Sequence, residues 1–228
     1  MQRYPNRGRM LAPLLTLVLA AGCAGERPGA GGNDGASADD GRPVIAALGT
    51  SLTAGLGVDP SEAWPALLQR KLDSAGLDYR VQNAGVSGET SAGALARIDW
   101  VLRQPASVLI VETGANDGLR GLDPAALAAN LDSLLARARD QDPDMRLVVV
   151  GMEAPPNLGP RYTAAFRAVY PDVARKHGAV LVPFLLDQVA GIDTLNVSDG
   201  IHPNPSGHAI MAETVWRAIL PLLQGDAA

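Results

Sequence analysis

Aromatic residues are scarce in this chain, at 4% of its 228 positions, too few to build the ring platforms on which single-stranded nucleic acids stack. Basic residues do not prevail either. Nineteen Lys and Arg against 24 Asp and Glu give a formal charge of −5, and an acidic surface repels phosphate backbones. Three of the arginines, Arg3, Arg7 and Arg9, lie in a stretch without acids, so the remainder is more acidic still. Cys23 is the only cysteine, which excludes an intrachain disulfide. With only three histidines besides, a cluster of metal ligands is hard to assemble. No internal repeat is visible, and the longest apolar stretch, MLAPLLTLVLAAG, is too short to span a bilayer comfortably. What remains is a chain that is 47% hydrophobic and rich in Ala, Leu and Val, as expected of one globular domain of just under two hundred residues.

The amino terminus has the order of an export signal: the basic stretch MQRYPNRGR, then the apolar run, then small residues up to Cys23. Leu19, Ala20, Ala21 and Gly22 before that cysteine resemble a bacterial lipoprotein cleavage box, although Ala20 stands where a larger aliphatic is usual and Leu19 comes one place early. The resemblance implies a signal peptide over residues 1–22, lipidation of the Cys23 thiol and a membrane held through that anchor. AGERPGAGGNDGASADDG, which follows, has no hydrophobic periodicity. Residues 23–42 are therefore read as lipidated cysteine and flexible tether, and 43–225 as the folded domain.

Within the domain, short apolar runs alternate with longer amphipathic stretches, the pattern of an α/β fold whose parallel sheet carries helices on both faces. Pro43 to Leu48, Tyr79 to Asn83, Val108 to Glu112, Leu147 to Gly151 and Ala179 to Pro183 are the candidate strands. Asp123 and Pro124 have the chemistry of an N-cap and first turn, and Leu127, Leu131, Leu134 and Leu135 fall on one helical face. Met211, Val215 and Ile219 repeat that spacing in a last helix, while Gly76 and Gly178 are candidate helix stops. In such sheets ligands bind beyond the carboxyl ends of the strands, where several loops converge.

The segments with chemical potential stand at those ends. GTSLTAGLG follows the first strand and places Ser51 on a glycine-rich turn into a helix. It is neither a GxSxG elbow nor a phosphate-binding loop, and a serine there could equally be a helix cap. DGIHPN places Asp199 three positions before His202. A serine hydroxyl needs a base, and a basic imidazole needs a partner that fixes its tautomer, which a carboxylate one turn away supplies. His177, before a helix stop, and His208, at a helix start, read as structural. NAGVSGET and ETGANDG follow the second and third strands and offer Gly88 and Asn116 as hydrogen-bond donors for an oxyanion. Glu89, Glu112 and Asp117 could suggest a carboxylate pair for glycoside hydrolysis, but acids at strand ends more often solvate loops or pair with arginines.

The four segments together resemble those of the SGNH/GDSL hydrolases, whose four defining residues would be Ser51, Gly88, Asn116 and His202. The likeness extends through AWPALLQRKL, NAGVSGETSAGALARI, VLIVETGANDGLRGLDP, RYTAAFRAVYPDVARKHGAVLVPF and DGIHPNPSGHAIMAETV, and within the family it is with the bacterial arylesterase and periplasmic thioesterase/lysophospholipase branch. The resemblance implies a flavodoxin-like three-layer α/β/α sandwich with a five-stranded parallel sheet and no metal or organic cofactor. It implies hydrolysis of small acyl, aryl or thioesters, or of lysophospholipids, through an acyl-enzyme on Ser51, with Asp199 and His202 activating it and the oxyanion held by Ser51, Gly88 and Asn116. The scaffold also serves carbohydrate O-acetylesterases, and an inert envelope-binding lipoprotein is a further alternative. Thr50 departs from the Gly-Asp-Ser-Leu that gives the family its name.

Overall fold

The computed structural model describes residues 40–225. The expected signal peptide, Cys23 and nearly all of the tether lie outside them.

Five strands form one parallel sheet: β1 (Val44–Gly49), β2 (Arg80–Gly85), β3 (Val108–Glu112), β4 (Arg146–Val150) and β5 (Val180–Val182), in the order β2-β1-β3-β4-β5. All four pairings are parallel, with Leu48 of β1 opposite both Ala84 of β2 and Val111 of β3. Strands β1 and β3 are buried along their whole length. Layers on both faces demand that, and their sequences VIAALG and VLIVE are correspondingly apolar without alternation. The expected strands were placed to within two residues at each end. The chain runs from β1 outward to β2 and then back across β1 to β3, so the winding reverses and a crevice opens between β1 and β3 beyond their carboxyl ends.

Helices α1 (Ser51–Ala54), α2 (Trp64–Ser74), α3 (Ser91–Val101), α4 (Ala115–Leu119), α5 (Pro124–Gln141), α6 (Pro160–His177) and α7 (Pro205–Gln224) connect and cover the strands. Helix α5 packs between α3 and α6, and α2 packs against α7. Because parallel crossovers are right-handed, connections leading to opposite sides of β1 lie on opposite faces of the sheet. The expected caps are present: the Asp123 carboxylate accepts from Ala125 N–H, and Gly178 closes α6 in the left-handed region. Gly76 lies just beyond the cap residue Ala75 of α2. Leu127, Leu131, Leu134 and Leu135 are buried on one face of α5, each burial contributing roughly 1.5–3 kcal/mol before ordering entropy is charged against it. Met211, Val215 and Ile219 do the same for α7. No helix among the described residues is long and apolar enough to cross a membrane.

Candidate active site

The turn that carries Ser51 is built at the end of β1. Thr50, extended at φ −96°, is the N-cap of the single-turn helix α1, and Ser51 is that helix's first residue. Capping thus falls to Thr50, whose hydroxyl accepts from Leu52 N–H at 3.4 Å, and the Ser51 side chain is left for other work. The turn is tight against its neighbours. A Cβ on Gly49 would stand 2.0 Å from Thr53 Oγ1, and one on Gly85, at the end of β2, 2.2 Å from the Ala54 nitrogen.

His202 comes from the loop that precedes α7. That loop is held by Val197 N–H donating to the His202 carbonyl and Asn204 N–H to Leu195, and Asn204 then caps α7 through Ser206 and Gly207. The imidazole Nε2 lies 2.9 Å from Ser51 Oγ, and Nδ1 lies 2.6 Å from Asp199 Oδ2. Asp199 Oδ1 accepts from the N–H groups of Ile201 and His202. The His202 side chain and then these two backbone donors hold the Asp199 carboxyl down at about 2. As an ionised carboxylate it can only accept. The proton between the two therefore sits on Nδ1, so that in the neutral imidazole the Nε2 lone pair faces the Ser51 hydroxyl. Ser51 itself is 8% exposed, reachable but shielded.

Gly88 and Asn116 reach the same place from the ends of β2 and β3; with Ser51 and His202 they line one cavity of about 510 Å³. Gly88 has φ +78°, a conformation glycine adopts without strain. Asn116, in α4, donates one amide hydrogen to the Glu89 carbonyl at 2.9 Å; an amide has two, so the other stays available. Two further ties fix this loop pair. Arg120 donates to the Gly88 carbonyl, and Asp117 accepts from both the N–H and hydroxyl of Ser91 at 2.9 and 2.5 Å. The rest of the cavity is largely apolar: Leu52, Leu56, Leu119, Met152, Phe184 and Ile201 contribute to its wall.

The acids divide differently from the sequence expectation. Glu89 does pair with an arginine, Arg97, at 2.7 Å. Asp117 is buried and braces α3. Glu112 neither solvates a loop nor pairs with a cation: it is fully buried and bonds to Thr50 and Thr53. Sequence reasoning missed that link, along with the parts Arg97 and Arg120 play at the site. His177, the last residue of α6, bonds to Asp132. His208 is buried and accepts from Trp64 N–H through Nδ1, so both are structural as expected.

Residues 47–210 match the GDSL-like lipase/acylhydrolase family. The chain belongs to that family. Among curated relatives of this GDSL hydrolase, Esterase TesA of Pseudomonas aeruginosa is 44% identical over 79% of this chain and 89% of its own. The Escherichia coli K12 protein named thioesterase 1/protease 1/lysophospholipase L1 is 35% identical over the whole of both chains. A crystal structure of TesA superposes with a TM-score of 0.75 at 43% identity, over 78% of this chain and 99% of that one. The esterase AlinE4, of the SGNH-hydrolase family, gives 0.66 at 40%, over 82% and 97%. This GDSL hydrolase is accordingly an ester-hydrolysing serine hydrolase with the three-layer SGNH fold.

Proposed function

We propose that the hydrolysis runs through an acyl-enzyme on Ser51. His202 takes the hydroxyl proton while Asp199 fixes its tautomer and stabilises the imidazolium, and Ser51 Oγ attacks the acyl carbonyl. The negative charge that develops on the carbonyl oxygen is met by the N–H groups of Ser51 and Gly88 and by the second amide hydrogen of Asn116. His202 then returns the proton to the leaving alcohol or thiol, and water, activated by the same imidazole, releases the acid. The observation that carries this reading is the unbroken relay from Asp199 through His202 to Ser51, at 2.6 and 2.9 Å. Purified Ser51→Ala is expected to lose ester turnover to background, and retained turnover would refute the assignment.

An apolar cavity supports acyl and aryl esters, thioesters and lysophospholipids over acetylated sugars, whose hydroxyls would find few partners there. Among the described residues, seven of the eight large exposed hydrophobics, Leu56, Val86, Leu119, Leu122, Leu158, Ile192 and Ile201, lie on segments at the carboxyl edge of the sheet; Trp100 alone does not. That concentration beside the cavity is what an acyl-chain site calls for.

Residues 1–22 are proposed as the export signal, Cys23 as the lipidated residue and 23–42 as its tether, which makes the enzyme an envelope lipoprotein with its domain on the periplasmic side. The order of basic, apolar and small residues supports this. Cys23→Ser expressed with its leader is expected to leave the membrane fraction; unchanged sedimentation with membranes would contradict the anchor.

A further inference from the structure

The carboxylate of Glu112 lies directly beneath the nucleophile turn, at the end of β3, and it is 0% exposed. Three donors from that turn converge on it. Thr50 N–H reaches Oε2 at 2.8 Å, the Thr50 hydroxyl is shared between Oε1 and Oε2 at 3.0 Å each, and the Thr53 hydroxyl reaches Oε2 at 2.9 Å. Thr50 and Thr53 bracket Ser51, so a single side chain on β3 fixes both flanks of the residue that attacks.

We propose that Glu112 is a positioning residue for the hydrolytic reaction, that it holds Ser51 in line with His202 through Thr50 and Thr53, and that it does so as a carboxylate. The inference rests on the Ser51 mechanism above.

The chemistry of the donor set favours the ionised form. Two carboxylate oxygens accept all three donors at once, whereas a carboxylic acid brings an O–H of its own and forces the shared Thr50 hydroxyl to turn round and accept it, reversing that link. Burial acts against the charge, and the result is a carboxyl raised to about 7, where protonation competes with function near neutral pH. The neighbouring groups do not neutralise it. From α3, Arg97 donates to the Gly49 carbonyl but is committed to Glu89. From α6, the Tyr170 hydroxyl donates to the Thr113 carbonyl, and burial, Glu112 and Asp117 together hold that phenol well above its ordinary range. Asp117 of α4 is bound to Ser91. Asp199 and His202 engage each other and Ser51.

Glu112→Gln keeps the shape and removes the charge. In the full chain its kcat is expected to fall roughly ten- to a hundredfold with KM within about twofold, because a misplaced nucleophile slows chemistry without unmaking the acyl pocket. Wild-type log kcat should fall on the acid side with a slope approaching two, since both Glu112 and His202 must be deprotonated, and the variant's slope should be one. Wild-type kcat and an unchanged profile in Glu112→Gln would overturn the proposal. If that variant does not fold, Thr50→Val and Thr50→Ser decide: Val should lose kcat and Ser, which keeps the hydroxyl, should restore most of it, whereas equal kcat in the two would overturn the proposal. Ser51→Ala separates the failures. An inactive Ser51→Ala beside a fully active Glu112→Gln refutes the positioning role alone, while an active Ser51→Ala refutes the mechanism on which it rests.

Discussion

A serine hydroxyl is a weak nucleophile until a base stands ready for its proton, and Ser51 has His202 Nε2 at 2.9 Å. Activation alone does not lower the barrier enough, because the attack moves negative charge onto the carbonyl oxygen. In the proposed mechanism Asn116 meets that charge, and its bond to Glu89 O both aims the amide and leaves a donor free. Asn116→Ala is expected to lower kcat on the order of a hundredfold or more while the fold persists, by steady-state kinetics beside circular dichroism. At this scale the sequence was informative wherever a residue's chemistry is unusual for its setting. Asp199 and His202 stand three apart in a proline-bounded loop, and few structural duties require that pair. Glu112 was illegible because its partners are 59 and 62 positions away, and nothing in VLIVETG says that the acid faces the β1 turn. Thr50 likewise looked like a departure from the family pattern. In the structure it caps α1 and joins that turn to β3.

At the scale of elements, buried parallel strands announce themselves as unbroken apolar runs, so β1 and β3 were readable almost to their ends. The weakest strand, β5, spans only Val180–Val182 and is half open at its first two residues, yet Gly178 before it marked the start. Short helices were less legible. Helix α1 has four residues and α4 five, too few for periodicity to appear, and both depend on tertiary bonds for their existence. Those two are the helices that carry Ser51 and Asn116, which is why the site was legible as residues before it was legible as geometry. The loops closing the cavity, among them Met152 to Pro156, carried no sequence signal of their shape, because a loop's path is set by what it packs against.

Two buried groups give the whole molecule an unusual dependence of stability on pH. Glu112 is raised from 4.5 to about 7, chiefly by burial. The folded state therefore holds its proton more tightly, and the associated stability is full below pH 4.5 and lost as pH rises through 7. His208 is lowered from 6.5 to about 4, by burial and then by His202. Its associated stability is full above pH 6.5 and lost as pH falls toward 4. Each effect amounts to at most about 3 kcal/mol, and between pH 4.5 and 6.5 the two oppose each other. Urea titrations should find Glu112→Gln gaining on wild type by roughly 1–3 kcal/mol from pH 4.5 to 7.5; a pH-independent difference would show that Glu112 does not titrate in that range. The central claim, that acyl transfer in this GDSL hydrolase passes through Ser51, is tested most directly by intact-mass analysis after reaction with a fluorophosphonate. Wild type should take up one adduct, mapped to Ser51, as ester turnover disappears, and Ser51→Ala should take up none. An adduct at another residue, or full inhibition with Ser51 unmodified, would contradict the account.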